Sequence, residues 1–264
     1  MRLPLERENT AVIGCEIRRF DCIDSTNTYL KREALAGALD GTVVIADYQT
    51  AGRGRMDRVF QSPAGKGIYL SVLLRPDRPS ERLLPVTALA GVAVCEAVER
   101  VCGVRPGLKW PNDPVLGNRK LCGILTELVT DPAQGVAVVL GIGINVLHDI
   151  EDFSEDVAEM ATSLAMELRR PVDRAALTAV LLEELERMYT ALKVDDLAPY
   201  LAAYRRDCVN IGRQVHLVAE KETETVTAVD VDDSFGLVIR RADGTEETVR
   251  SGEVSVRGLY GYAE

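Results

Sequence analysis

The sequence is poor in the residues that build metal sites, disulfide frameworks and aromatic surfaces. It has two histidines, one tryptophan and 5% aromatic residues in 264 positions. His148 and His216 are far apart and no two cysteines are spaced as CxxC, so the sequence shows no zinc site. The six cysteines are therefore expected to be reduced residues that pack in the core.

Positive charge is also in short supply, and long apolar runs are missing. The 31 Lys and Arg against 41 Asp and Glu give a net charge of −10. Nucleic acids and anionic membranes require a broad positive face, so neither is expected as a partner. No apolar run reaches the roughly 18 residues of a membrane helix, and the N-terminus lacks the apolar segment of a signal peptide. We expect a cytoplasmic protein that meets any anion locally.

The elements change character near residue 208. With 47% apolar residues, the chain can build one large domain and a small one. The patterns predict a large first domain at 1–207 and a small antiparallel barrel at 208–264, with hairpin turns at Gly117-Asn118 and in ADGT. Strands are expected at 15–23, 42–48, 67–76 and 135–146, and helices after residue 27 and at 83–102, 173–192 and 196–207.

A loop rich in glycine and arginine, QTAGRGRMDR, directly follows the strand at 42–48. Glycines let backbone amides approach an anion, and arginines offer forked donors to phosphate or carboxylate. The loop matches neither a Walker motif nor a dinucleotide fingerprint. It is either a solvated turn or an anion site, and the mutual repulsion of its three arginines favours the anion site.

A second motif, KWPND, spans residues 109–113 and contains the only tryptophan, Trp110. Its Pro-Asn-Asp run marks a turn. Asn112 has the hydrogen-bonding groups to meet a purine edge or a ribose, and Asp113 those of a base or a metal contact. The alternative is a structural turn built on a core tryptophan.

Three further polar groups stand at the ends of predicted elements. Lys120 precedes an apolar strand, Asn145 follows the glycines of GIGIN, and Ser25 and Thr26 precede a helix. Each has a purely structural alternative, namely a lysine pointing into water, a turn cap and a pair of helix caps. The glycines at 141 and 143 also indicate close approach of some group to the backbone. Together these signals favour a ligand site.

In this order, DSTN, QTAGRGR, SPAGKGIYLS, KWPND, RKLCGIL and GIGIN resemble the motifs of biotin protein ligases, also called biotin–[acetyl-CoA-carboxylase] ligases. The resemblance covers the chain from about residue 17 to 261. It implies an α+β fold with a class II synthetase-like mixed sheet flanked by helices, followed by an SH3-like barrel. It also implies biotin and ATP with Mg²⁺ as substrates, biotinoyl-5′-AMP as intermediate, and a lysine of a biotin carboxyl carrier protein as acceptor.

The resemblance further implies roles for individual residues. The implied catalytic residues are Arg55, Lys120 and Asp113, the last as a base toward the acceptor lysine. The implied biotin contacts are Ser25, Thr26, Asn27, Gln49, Gly52, Arg53, Gly54, Arg55, Lys120 and Gly123. The implied ATP contacts are Arg58, Phe60, Lys109, Trp110, Asn112 and Asn145, with no metal held by the protein itself.

Two details of the implied site are specific to this chain. Phe60 stands where some relatives have a tryptophan, and we expect it to stack on adenine with a smaller contact area. The glycine-rich loop is implied to be a lid that shields biotinoyl-AMP from water, and is expected to be mobile when empty and ordered with ligand.

Rival functions remain open. A lipoate–protein ligase shares the catalytic fold, but GRGR, KWPND and the barrel weigh against it. Many relatives carry an N-terminal helix-turn-helix. This chain starts about 15 residues before its first predicted strand, so a ligase without that domain is expected. A biotin-sensing regulator is the alternative if such a domain was removed. An exposed sheet edge would allow a homodimer.

Overall fold

The computed structural model describes residues 11–131, 135–218, 223–250, 255–258 and 262. The strands before residue 208 are β1 (Ile17–Ile23), β2 (Val43–Gln49), β3 (Gly67–Leu74), β4 (Gly107–Lys109), β5 (Asp113–Leu116), β6 (Arg119–Lys120), β7 (Cys122–Asp131) and β8 (Gly135–Asn145). The α-helices are α1 (Thr26–Leu35), α2 (Val86–Cys102), α3 (Glu155–Ala158), α4 (Leu164–Leu168), α5 (Arg174–Val194) and α6 (Ala198–Asp207).

The central sheet is mixed and has the strand order β1-β2-β3-β8-β7. β1 runs parallel to β2, and the other neighbours are antiparallel. Side chains alternate between its two faces, as a pleated strand requires. Leu73 and Val139 pack with Leu30 of α1, whereas Val72 and Leu140 belong to the larger core with α2 and α5. The expected mixed sheet flanked by helices is thus confirmed.

A small sheet of β4, β5 and β6 carries two of the predicted motifs. KWPND forms the connection between β4 and β5, and Lys120 lies in β6. The predicted hairpin turn at Gly117-Asn118 is confirmed, with φ of 56° and 60° at these two residues. The hairpin therefore places Lys120 next to the KWPND turn.

The end of the chain forms a second antiparallel sheet. Its strands are β9 (Gln214–Val218), β10 (Thr223–Val231), β11 (Leu237–Arg240), β12 (Glu246–Val249) and β13 (Ser255–Gly258), in the order β12-β11-β10-β9-β13. The ADGT turn joins β11 to β12 as predicted, with Gly244 at φ 86°. The small antiparallel unit is confirmed. Within the described residues, no pairing of β12 with β13 closes it into a barrel.

The prediction that all six cysteines pack in the core is wrong for two of them. Cys95, Cys102, Cys122 and Cys208 are buried, whereas Cys15 and Cys22 are exposed, and all six are free thiols. Cys22 lies on β1, an edge strand with one neighbour in the sheet. Across the described ranges, no helix is long and apolar enough to span a bilayer.

Candidate active site

The amide of Gln49 joins the start of α1 to the segment after the arginine-rich loop. Its Oε1 accepts from the backbone N–H of Thr26 at 2.9 Å and from the Thr26 hydroxyl at 3.1 Å. Its Nε2 donates to Ser62 Oγ at 2.9 Å. Ser25 caps α1 by accepting from Thr28 N–H, as the structural reading of DSTN allowed. Ser25, Thr26 and Ser62 are buried and Gln49 is half-buried, and together they form one polar wall.

Asn27 forms the next part of that wall, against the central sheet. Its Oδ1 accepts from Ser71 Oγ at 2.5 Å, and its Nδ2 donates to Glu127 Oε2 at 3.0 Å. A Cβ at Gly141 would overlap Asn27 Oδ1, which explains the glycine there. The expected close approach to GIGIN is therefore confirmed for Gly141. Ser71 was not among the predicted site residues, because a lone serine in an apolar strand leaves no pattern.

Residues 52–60, the arginine hairpin, form a closed turn over the sheet. Gly54 N–H donates to Arg58 C=O at 2.7 Å, and Phe60 N–H donates to Gly52 C=O at 2.9 Å. A Cβ on Gly52 would overlap the Phe60 carbonyl, so this position requires glycine. The opening of the hairpin in the absence of ligand stays a prediction.

The ring of Phe60 lies close to glycines of two strands, β7 and β8. A Cβ on Gly143 would come within 2.5 Å of this ring, and one on Gly123 within 3.1 Å. Phe60 is thus the second group that approaches the GIGIN backbone. Lys120 approaches Gly123 too, because a Cβ on Gly123 would also lie 3.4 Å from Lys120 Cε.

Arg53 points toward strand β7. Its guanidinium donates to Glu127 Oε1 at 3.0 Å, and the same oxygen pairs with Lys31 at 2.7 Å. Burial alone would raise the pKa of Glu127, but its hydrogen bonds from Lys31 and Asn27 and the nearby Arg53 more than offset this, and the net pKa is lowered. Glu127 was not predicted from the sequence. Its negative charge offsets part of the repulsion between arginines that favoured an anion site in this loop.

Arg55 instead reaches the KWPND turn. It donates to Asn112 Oδ1 at 3.0 Å, while Asn112 Nδ2 donates to Ile124 C=O at 2.9 Å. Burial lowers the pKa of the Arg55 guanidinium, against the attraction of Asp113. Arg58 is exposed at the end of the same hairpin. Two arginines of one hairpin are therefore held by different walls of the site.

Asp113, the residue after Asn112, forms an ion pair with Lys120. The Lys120 ammonium lies 2.7 Å from Asp113 Oδ1, and the Tyr262 hydroxyl donates to Asp113 Oδ2. Burial would raise the pKa of Asp113, but Lys120, Lys109 and these hydrogen bonds more than offset it, so the pKa is lowered. Asp113 is therefore held as an anion among cations.

Asn145 and Lys120 both form hydrogen bonds with the segment 160–162. Asn145 Nδ2 donates to Thr162 C=O at 3.0 Å. Lys120 N–H donates to Met160 C=O at 2.7 Å, and Thr162 N–H donates to Lys120 C=O at 2.9 Å. This segment lies between α3 and α4, which are too short to leave a periodic signal in the sequence.

Trp110 does not face the site, and the expected nucleotide contact from its side chain is not retained. Its side chain is 2% exposed, and its indole N–H donates to Phe235 C=O at 3.0 Å. Its backbone N–H donates to Asn210 Oδ1 at 2.7 Å. The alternative reading, a core tryptophan that holds the turn, describes this side chain. Within the described ranges, no group of three or more His, Cys, Asp or Glu could hold a metal ion.

Two family models match the chain. The Biotin/lipoate A/B protein ligase family matches residues 19–145, and the Biotin protein ligase C terminal domain matches residues 211–257. The first range contains every predicted site residue, and the second lies in the C-terminal sheet.

Individual relatives match over nearly the whole chain. The chain is 35% identical to a biotin–[acetyl-CoA-carboxylase] ligase of Mycobacterium tuberculosis, with 96% of each protein covered. It is 34% identical to the bifunctional ligase/repressor BirA of Bacillus spizizenii, over 90% of this chain and 73% of that protein. The biotin protein ligase of Aquifex aeolicus in complex with biotin and ATP superimposes with a TM-score of 0.82 at 29% identity, covering 92% of this chain and 99% of that one.

Proposed function

Since the chain belongs to the biotin protein ligase family, it is a biotin- and ATP-dependent ligase, and we propose that the residues around Gln49, Asn112 and Lys120 form its active site. One observation carries this proposal. The arginine hairpin spans two polar walls, with Arg53 on the Asn27–Glu127 side and Arg55 on Asn112. Biotin would lie along the first wall and the nucleotide along the second.

The reaction begins with two anions that repel each other. A carboxylate oxygen of biotin attacks the α-phosphorus of ATP, the bond to the β-phosphate oxygen breaks, and pyrophosphate leaves. Arg55, Lys120, Lys109 and the exposed Arg58 would supply positive charge where negative charge grows on the phosphate. Holding both substrates at one site would also remove much of the entropic cost of their encounter.

The second step transfers the biotinoyl group to protein. The amine of an acceptor lysine attacks the acyl carbon of biotinoyl-5′-AMP, the bond to the phosphate oxygen breaks, and AMP leaves while the amine loses a proton. Asp113 was expected to accept that proton. Its oxygens are held by Lys120 and Tyr262 and its pKa is lowered, so we favour orientation of Lys120 as its role.

The wider assignments follow the same proposal. Residues 1–207 would form the catalytic domain and residues 208–264 the C-terminal domain. Mg²⁺ would arrive on the phosphates of ATP. The acceptor would be a biotin carboxyl carrier protein, and the reaction would take place in the cytoplasm. Net charge of −10 disfavours nucleic acid as a partner. The edge strand β7 would allow a homodimer, which sedimentation velocity over a range of concentrations would test.

A transfer assay tests the function directly. The chain is incubated with MgATP, biotin and the apo form of a biotin carboxyl carrier domain, and the mass of the carrier is followed. We expect one biotinoyl group per carrier and none when the acceptor lysine is replaced by arginine. Because the matching family also names lipoate, a parallel reaction contains lipoate. Labelling from lipoate and not from biotin would overturn the proposal.

A further inference from the structure

The described residue closest to the C-terminus, Tyr262, reaches into the candidate active site. Its hydroxyl donates to Asp113 Oδ2, and its ring lies under the Lys109 ammonium, 3.7 Å from Nζ to the ring centroid. Lys109 and Asp113 are the first and last residues of KWPND, and Asp113 lies 149 residues before Tyr262 in the chain. One side chain from the end of the chain therefore contacts both ends of the motif.

We propose that Tyr262 is a positioning residue of the ligase site, which orients Asp113 through its hydroxyl and Lys109 through its ring. This inference rests on the proposed function of the site. Asp113 offers two oxygens, and Tyr262 occupies Oδ2 while Lys120 lies at Oδ1. Without the hydroxyl, Lys120 is free to pair with both carboxylate oxygens, which would draw its ammonium away from the reacting phosphate.

The ring has a separate task from the hydroxyl. Lys109 is 6% exposed, and a buried ammonium needs compensation for its lost hydration. The face of an aromatic ring supplies part of it. The electrostatics agree with this placement, because burial and then Asp113 raise the pKa of Tyr262, while Arg58 and Arg55 act against the rise. Tyr262 therefore lies within the cluster of cations assigned to the phosphates.

Two substitutions separate the hydroxyl from the ring. Tyr262→Phe keeps the ring and the packing but removes the donor. We expect the kcat of biotin-dependent ATP–pyrophosphate exchange to fall about tenfold, the size of a lost hydrogen bond to a charged group, with the KM for ATP nearly unchanged. Tyr262→Leu removes both groups, and we expect it also to weaken ATP binding about fivefold, as measured by calorimetry. Tyr200→Phe in α6 is the matched control.

The outcomes are distinct. Equal kcat for wild type and Tyr262→Phe would overturn the positioning role, and so would tighter ATP binding by Tyr262→Leu, which would mean that the tyrosine occupies the nucleotide site. A fall in thermal midpoint alone would assign Tyr262 to packing and also overturn the role. If the wild type itself lacks exchange activity, the proposed function fails, and the calorimetric comparison of ATP affinity still tests the contact with Lys109.

Discussion

The Arg55 guanidinium donates to the Asn112 amide oxygen across 3.0 Å, so the arginine hairpin is tied to the turn that carries Lys109 and Asp113. Asn112 is held in turn by its bond to the Ile124 carbonyl. A contact between a glycine-rich hairpin and a rigid turn can close the site over a reactive mixed anhydride and still release it.

Replacement of Arg55 by alanine is expected to loosen that closure. Loss of a hydrogen bond from a charged donor costs about 1.5 to 3 kcal/mol, so we expect biotinoyl-AMP to dissociate at least about tenfold faster and to label nearby lysines indiscriminately. Rapid dilution with detection of released intermediate measures this rate.

Asn112→Ala supplies the partner for a double-mutant cycle with Arg55→Ala. If the two side chains act through each other, the effects of the single changes do not add. Strict additivity would contradict the closure described above. Arg82→Ala, an exposed arginine outside the site, is the control for a general effect of lost charge.

Replacement of Lys120 by alanine is expected to abolish most adenylate formation. It removes the ammonium that we propose to lie beside the reacting phosphate, and loss of one group that stabilises transition-state charge costs roughly 100- to 1,000-fold in rate. Pyrophosphate release in the presence of biotin reports the step. Near-normal release would refute the role. Lys120→Arg keeps a cation beside Asp113. If both variants remain folded, a loss of activity reflects the lost chemistry and not a loss of stability. Lys193→Ala is the control for loss of an exposed lysine.

Replacement of Gly143 by alanine is expected to displace Phe60. The new methyl group would lie within 2.5 Å of the Phe60 ring, and overpacking of this kind costs about 1 to 3 kcal/mol. We expect a lower thermal midpoint and weaker ATP binding. Phe60→Leu should restore part of the midpoint in the double variant, because a smaller side chain leaves room for the methyl. No recovery would mean that another neighbour resists the methyl.

The stability of the fold is expected to depend on His148. This side chain is fully buried, stacks on Phe153 with ring centroids 5.2 Å apart, and contacts the Tyr69 hydroxyl at 3.2 Å. Burial, with Lys66 and Arg174, lowers its pKa to about 4. An unfolded histidine titrates near 6.5. The unfolded state therefore binds more protons between these values, and stability falls as pH drops from about 6.5 to 4.

The effect of this histidine is measurable as a slope. At about 1.4 kcal/mol per pKa unit, it reaches up to about 3 kcal/mol at the acid end. Denaturant unfolding of wild type and His148→Gln across that range gives the comparison. We expect a shallower acid loss in the variant, since glutamine carries no titrating group. Parallel curves would show that carboxylates such as Asp113 and Glu127 account for the whole dependence.

Much of the fold was predictable because its signals are local. Alternation and helical spacing located the main strands and helices, and Gly117-Asn118 marked a turn that the backbone indeed makes with positive φ. The glycines of GIGIN indicated that some group lies close to the backbone there. Only the structure shows that these groups are Asn27 and Phe60.

The missing parts of the site are ordinary residues brought in from far along the chain. Ser71, Glu127 and Tyr262 contact Asn27, Arg53 and Asp113 across 44, 74 and 149 positions. No local pattern marks such a partner. The expectation for Trp110 failed for a related reason, because a tryptophan beside polar residues looks the same in sequence whether it meets a ligand or the core.

The bond from the Trp110 indole to the Phe235 carbonyl bears on how such chains can be recombined. A boundary between an N-terminal and a C-terminal part usually suggests that one part can be exchanged for that of a relative. Here a foreign tail has to present a carbonyl at the same point, since otherwise a buried donor loses its acceptor at a cost of about 1 to 3 kcal/mol. This constraint favours inheritance of the two parts together.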